Sequence, residues 1–107
     1  MTPEHNIQNA ILRAYGSDPR LRLWRANAGV ASFHGRTVRF GVPGQADLTG
    51  IISHTGQRLE IEVKTETGKQ SPDQRNYQAM IVRMGGLYIL ARSVQDVTDA
   101  LEPCLRQ

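Results

Sequence analysis

With 107 residues, ordinary apolar content and a formal net charge of +3, the chain is sized for one domain over residues 1–107, and nothing in its composition suggests disorder. No apolar run approaches the ~20 residues of a membrane span and the opening residues do not read as a signal peptide, so no membrane partner is expected. Cys104 is the single cysteine, which excludes an intrachain disulfide and a thiolate metal cluster and favours a cytoplasmic protein.

Thr2-Pro3-Glu4 predicts a helix start, with Thr2 as N-cap and Pro3 at the first helical position. Ile7, Ala10, Ile11, Ala14 and Tyr15 follow at helical spacing, and Gly16-Ser17-Asp18-Pro19 ends the helix. Glu4 continues the apolar stripe. It is either a first-turn acid that complements the helix dipole or a carboxylate aimed into the body of the domain. Leu21 to Asn27 alternates as a strand, with Trp24 expected in the core. Arg25 and Asn27 share a face with Leu21 and Leu23, so they either emerge beyond the core edge or point into a polar site. Ala28 to Thr37 is expected to be a small-residue loop. Val38 to Val42 is expected as a short strand, which Pro43-Gly44 breaks.

Gly44 to Lys64 predicts two short strands around a turn at His54-Thr55-Gly56-Gln57. Pairing Ser53 with Arg58 puts Thr49 opposite Glu62 and Asp47 opposite Lys64. Alternation sends Leu59, Ile61 and Val63 to one face and Glu60, Glu62 and Lys64 to the other. Asp47 and Glu62 then form a diagonal pair, roughly 7–8 Å apart at the backbone. Two carboxylates so placed can lean towards one hard divalent cation, with Lys64 beside them. A polar loop from Thr65 to Gln70 follows. Ser71-Pro72-Asp73-Gln74 opens a helix with a capping box, Tyr77, Met80, Ile81 and Met84 form its apolar stripe, and Gly85-Gly86 ends it. Leu87 to Ala91 reads as a buried strand. Ser93 caps a last helix carrying Val94, Val97 and Leu101, which Pro103 is expected to stop.

The core order is helix, three strands, helix, strand, helix. Short links make the first three strands an antiparallel meander. The helix between Leu59–Lys64 and Leu87–Ala91 is a crossover, which demands a parallel pair. The expected fold is α/β: a mixed four-stranded sheet with an αβββαβ core and an added C-terminal helix. Alone, a Glu-x-Lys strand end is what a solvated strand face looks like. Asp47 heading the preceding strand, Glu4 on the first helix and Gln74 on the next one narrow the reading. Gln74 is also explained as a capping-box residue alone.

These features together resemble the VRR-NUC domain of the PD-(D/E)XK nuclease superfamily, over nearly the whole chain. The matching stretches are Glu4 in an N-terminal helix, Trp24-Arg25-Ala26-Asn27-Ala28-Gly29, Gly44-Gln45-Ala46-Asp47-Leu48, Glu62-Val63-Lys64, and Ser71-Pro72-Asp73-Gln74 leading to Gly85-Gly86. One departure is Ala46 where the superfamily's name has proline before the aspartate. The resemblance implies that Asp47, Glu62 and the Val63 main-chain carbonyl ligate Mg²⁺ or Mn²⁺, with Glu4 at the edge of the metal site. It implies that Lys64 attends the attacking water and that Gln74 is an auxiliary polar residue. Hard oxygen ligands suit these cations better than zinc.

Eleven of the thirteen basic residues are arginine, a type suited to phosphate. Arg25, Asn27, Arg36 and Arg39 are candidates for contacts to the DNA backbone, against the simpler reading of solvated side chains. His5, His34 and His54 have no metal-ligand spacing. The expected function is a metal-dependent DNA endonuclease, selective for branched, flap or Holliday-junction DNA in replication, recombination or repair. Stand-alone domains of this size resemble viral or mobile-element nucleases. The alternative is a non-catalytic DNA-binding module that retains the fold. A homodimer is expected, because two strands must be cut and a single copy presents little basic surface. Its interface is expected around Tyr15 or near Phe33 and Phe40.

Overall fold

The computed structural model describes residues 2–26 and 29–106. Helix α1 (Pro3–Tyr15) starts at Thr2, whose hydroxyl accepts the His5 N–H at 3.1 Å. Strands β1 (Leu21–Arg25), β2 (Gly29–Phe33), β3 (Arg36–Phe40), β4 (Leu48–Ile52) and β5 (Arg58–Val63) follow. Helix α2 (Pro72–Arg83), strand β6 (Leu87–Ala91) and helix α3 (Val94–Leu105) complete the order.

The main sheet has the order β1-β4-β5-β6. β1, β4 and β5 pair antiparallel, and β6 joins β5 in parallel through the α2 crossover. This is the expected mixed four-stranded αβββαβ sheet. Its two faces are unlike. Leu59, Ile61 and Val63 point into a large apolar core with Leu48, Ile52, Ile89, Ile11, Val97 and Leu101. The opposite face, under α2, has a small apolar cluster of Ala46, Tyr77 and Ile81. Glu60 and Glu62 lie on that same α2-facing side of β5, and both are buried. Among the described residues, no helix is long and apolar enough to cross a membrane.

Several local expectations are corrected. The β4–β5 register is shifted by two residues: Thr49 faces Glu60 and Ile51 faces Arg58. The turn keeps its length and moves one residue towards the N-terminus, to residues 53–56, with the Ile52 N–H donating to the Gln57 carbonyl at 3.0 Å. A shift of two preserves every side chain's face, so the pattern of apolar residues does not oppose it. Residues 29–37 are not a loop, and 38–42 is not a strand of the main sheet. β2 and β3 form a separate two-stranded arm. His34 and Gly35 join them, both with positive φ (50° and 76°), as a two-residue hairpin turn requires.

Trp24 is 46% exposed rather than core, because Leu21 and Leu23 take the inward face of this edge strand and Trp24 falls on the other. Met84 is exposed at the C-cap of α2, beyond the buried Tyr77 and Ile81. Pro103 does not stop α3. It sits within the last turn, and the helix continues to Leu105, which is buried in the main core. Tyr15 is not free for an interface: it is buried, and its hydroxyl donates to Glu102 Oε2 at 3.0 Å or Thr98 Oγ1 at 3.2 Å.

Candidate active site

Asp47 is delivered by the loop after the β2–β3 arm. Gly44 has φ +77°, and a Cβ there would lie 2.2 Å from the Asp73 carbonyl oxygen. Only glycine lets this loop rest against the first turn of α2. Ala46 is then buried beneath α2 against Tyr77 and Ile81. A small residue before the aspartate therefore has a packing reason. The Asp47 carbonyl accepts the Ala26 N–H at 3.0 Å, and its Oδ2 accepts the Val63 N–H at 2.8 Å. Asp47 is thus held between the ends of β1 and β5.

Glu62 lies 2% exposed under the start of α2. Gln74 completes the capping box and also reaches Glu62. Its Oε1 accepts the Ser71 N–H at 2.9 Å while its N–H donates to Ser71 Oγ at 3.2 Å, completing the capping box. With Oε1 so engaged, Nε2 donates to Glu62 Oε2 at 3.0 Å. Lys64 Nζ stands 3.9 Å from the same oxygen, on a side chain only 15% exposed. The other oxygen, Glu62 Oε1, is buried with no hydrogen-bond partner among the described residues, unless the Glu62 and Asp47 carboxyls, which lie close together, share a proton.

The electrostatics follow from this packing. Burial raises the Asp47 carboxyl above its usual range, against the lowering effect of the Val63 N–H. Glu62 is pushed up to about 8, first by burial and then by the charge of Asp47. Glu4 on α1 is near enough for its charge to raise both. Tyr88 on β6, opposite Glu60, is raised to about 12, chiefly by burial. Its hydroxyl accepts Gln70 Nε2 at 3.2 Å.

The structure therefore brings Asp47, Glu62, Lys64 and Gln74 together, with Val63 main chain at Asp47 and Glu4 near by. Of the candidates for DNA contact, Arg25 and Arg39 border this group through the clefts they line. Arg25 donates to Asn9 Oδ1 on α1. Arg36 and Arg39 lie on the β2–β3 arm, and Asn27 lies outside the described residues. Arg39 and Gln74 line a common cleft of about 300 Å³. Asp47 borders a second cleft of about 270 Å³, with His5, Gln8 and Arg25. Among the described residues, no cluster of three or more His, Cys, Asp or Glu side chains is arranged around one point. A cation here would rest on Asp47 and Glu62, with main-chain oxygen and water completing its shell. The unpartnered Glu62 Oε1 fits that use.

Three residues with structural weight at the site escaped the sequence reading. Glu60 is buried two residues before Glu62. Gln8, buried one turn after Glu4, lines the Asp47 cleft. The Arg92 guanidinium donates to the carbonyls of Thr65, Glu66 and Gly68, which fastens the loop that follows Lys64. Only Glu60 has a local signal, its place on the strand face of Glu62.

No protein-family model and no curated protein matches the chain. A solved structure described as "VRR_NUC domain" matches it with a TM-score of 0.67, over 95% of this chain and 97% of that one, at 21% identity. The likeness shows that the chain shares the fold of that structure, a mixed α/β sheet of the kind described above.

Proposed function

We propose that residues 1–107 form one nuclease domain, a cytoplasmic endonuclease that hydrolyses DNA phosphodiester bonds with Mg²⁺ or Mn²⁺. The observation that carries this reading is the buried, unpartnered Glu62 Oε1 beside Asp47. An orphaned buried carboxylate oxygen is costly, and a bound cation would offset that cost. Asp47 and Glu62 would hold that cation, with the Val63 carbonyl, and Glu4 at its edge. A divalent cation so held supplies charge neutralisation at the phosphate and a more acidic water. Gln74 holds Glu62 Oε2 and so leaves Oε1 turned to the site. Lys64 carries an ammonium beside the carboxylates, where it orients the attacking water and stabilises negative charge developing on the phosphate.

The substrate reading is branched DNA: flaps or four-way junctions, in replication, recombination or repair. The partner reading is a homodimer. Val30, Phe33, Val38 and Phe40 leave the β2–β3 arm with exposed apolar surface, Phe33 at 59%. Arg36 and Arg39 on the same arm, with Arg25 and Asn27, would meet DNA phosphates.

The test is cleavage of flap, duplex, single-stranded and four-way DNA with Mg²⁺ or Mn²⁺, and with chelator. Cleavage that needs the cation and is lost in Asp47→Ala and Glu62→Ala is expected, while DNA binding persists. No cleavage of any substrate with either cation, or either variant cutting at the wild-type rate, would overturn the reading.

A further inference from the structure

Beside the catalytic candidates, the α2-facing side of the sheet buries a second carboxylate that the proposed chemistry does not use. Glu60 is 0% exposed. Its Oε1 accepts the Tyr77 hydroxyl from α2. Its Oε2 accepts Thr49 Oγ1 from β4 and Arg58 Nε at 3.0 Å. Both oxygens are satisfied, unlike those of Glu62. Such a carboxylate is not a spare ligand. It is a connector.

What it connects is set by two periodicities. Glu60 and Glu62 are two apart on β5 and share its face. Gln74 and Tyr77 are three apart on α2 and share a side of the helix. The helix therefore touches the strand through two parallel contacts, Tyr77 hydroxyl to Glu60 and Gln74 amide to Glu62. They are spaced by about 4.5 Å along the helix, three residues of rise. Apolar packing on this side is slight: among the described residues its buried cluster is Ala46, Tyr77 and Ile81, with Met80 and Tyr88 partly buried against it. Apolar contacts are non-directional and tolerate sliding. A hydrogen bond into a buried carboxylate does not, because a displaced partner leaves that carboxylate unsatisfied.

We infer that Glu60 and Tyr77 are positioning residues: their bond locks α2 in the one placement that sets the Gln74 amide on Glu62 Oε2 and leaves Oε1 open to the cation. The inference rests on the proposed use of Glu62 as a ligand, but its test does not depend on cleavage alone. Tyr77→Phe removes the hydroxyl and keeps the ring between Ala46 and Ile81. Thr49→Val is the comparator, since it removes a bond to the same carboxylate without touching α2.

Three quantities are read on each folded variant: the side-chain amide resonances of Gln74 by NMR, Mn²⁺ affinity by calorimetry without DNA, and kcat and KM for cleavage. In Tyr77→Phe the Gln74 amide should move to the position of a free glutamine. Mn²⁺ affinity and kcat should fall about tenfold with KM for DNA unchanged, as for other residues that orient a ligand. In a Gln74→Ala background, Tyr77→Phe should add less than about twofold, because the two act through one contact. Thr49→Val should leave all three readings at wild type, whatever its melting temperature. Should Tyr77→Phe alone not fold, Tyr77→Phe with Glu60→Gln removes the contact without leaving a buried charge unpaired. A wild-type Gln74 signal and Mn²⁺ affinity in the Tyr77 variant, or effects that multiply with Gln74→Ala, would overturn the inference. A wild-type protein that cuts no DNA would remove the nuclease reading and leave the NMR and Mn²⁺ readings to decide this one.

Discussion

Glu62→Gln should stabilise the metal-free protein at alkaline pH and leave it unchanged near pH 4.5. Glu62 in the folded chain is pushed from an ordinary 4.5 to about 8, so the folded state holds its proton more tightly than the unfolded state does. Below the unfolded value both states are protonated and no penalty exists. As pH rises towards 8 the unfolded chain ionises first, and stability falls by about 1.4 kcal/mol per pH unit. Above about 8 the loss is complete. Across that window it amounts to a few kcal/mol, shared with Asp47, whose carboxyl is also raised. Glutamine has nearly the same shape and no charge, and its carbonyl still accepts the Gln74 amide. The variant should therefore lack this slope. A gain of only ~1–2 kcal/mol at pH 8.5 would raise Tm by about 5–10 °C for a domain of this size. The assay is thermal or urea unfolding of both proteins in chelator between pH 4.5 and 9. Saturating Mg²⁺ or Mn²⁺ should then close the gap from the wild-type side, because the cation binds the ionised pair in the folded state only. Parallel stability curves for the two proteins across this range would refute the reasoning.

Lys64→Met keeps the aliphatic stem and removes the charge 3.9 Å from Glu62, so cleavage should fall by about 10²-fold or more. Lys64→Arg should not restore it fully, because a planar fork does not replace a compact ammonium, and single-turnover rates check both variants. Light scattering at micromolar protein should report a dimer, and Phe33→Ser on the exposed arm should shift it towards monomer. A wild-type monomer at all concentrations, with and without DNA, would leave a nicking or flap-cutting nuclease in place of a junction-cutting one. DNA affinity should fall steeply with salt, since it would rest on arginine–phosphate contacts.

Much of the framework is local and was legible in the residues. Thr2, Ser71 and Ser93 mark three helix starts because a capping side chain acts within one turn. The crossover from β5 through α2 to β6 followed from connection length, and the two faces of β5 from alternation. Those rules brought Asp47, Glu62, Lys64 and Gln74 within reach of one another on paper, and the structure sets them side by side.

Alternation says that Glu60 and Glu62 share a face, but not that the face is dry. Only the passage of α2 across the sheet buries them, orphans Glu62 Oε1 and turns Glu60 into a connector. The β4–β5 register moved by two because an even shift costs nothing in side-chain facing, so turn geometry and tertiary contacts chose it. Trp24 went outward because β1 is an edge strand and its inward positions belong to Leu21 and Leu23. Arg92 reaches the Lys64 loop across 24 to 27 residues of sequence, a distance over which no local pattern operates. Element type and facing are set by neighbours along the chain. Burial, register and the partners of each charge are set by which surfaces the folded chain presses together.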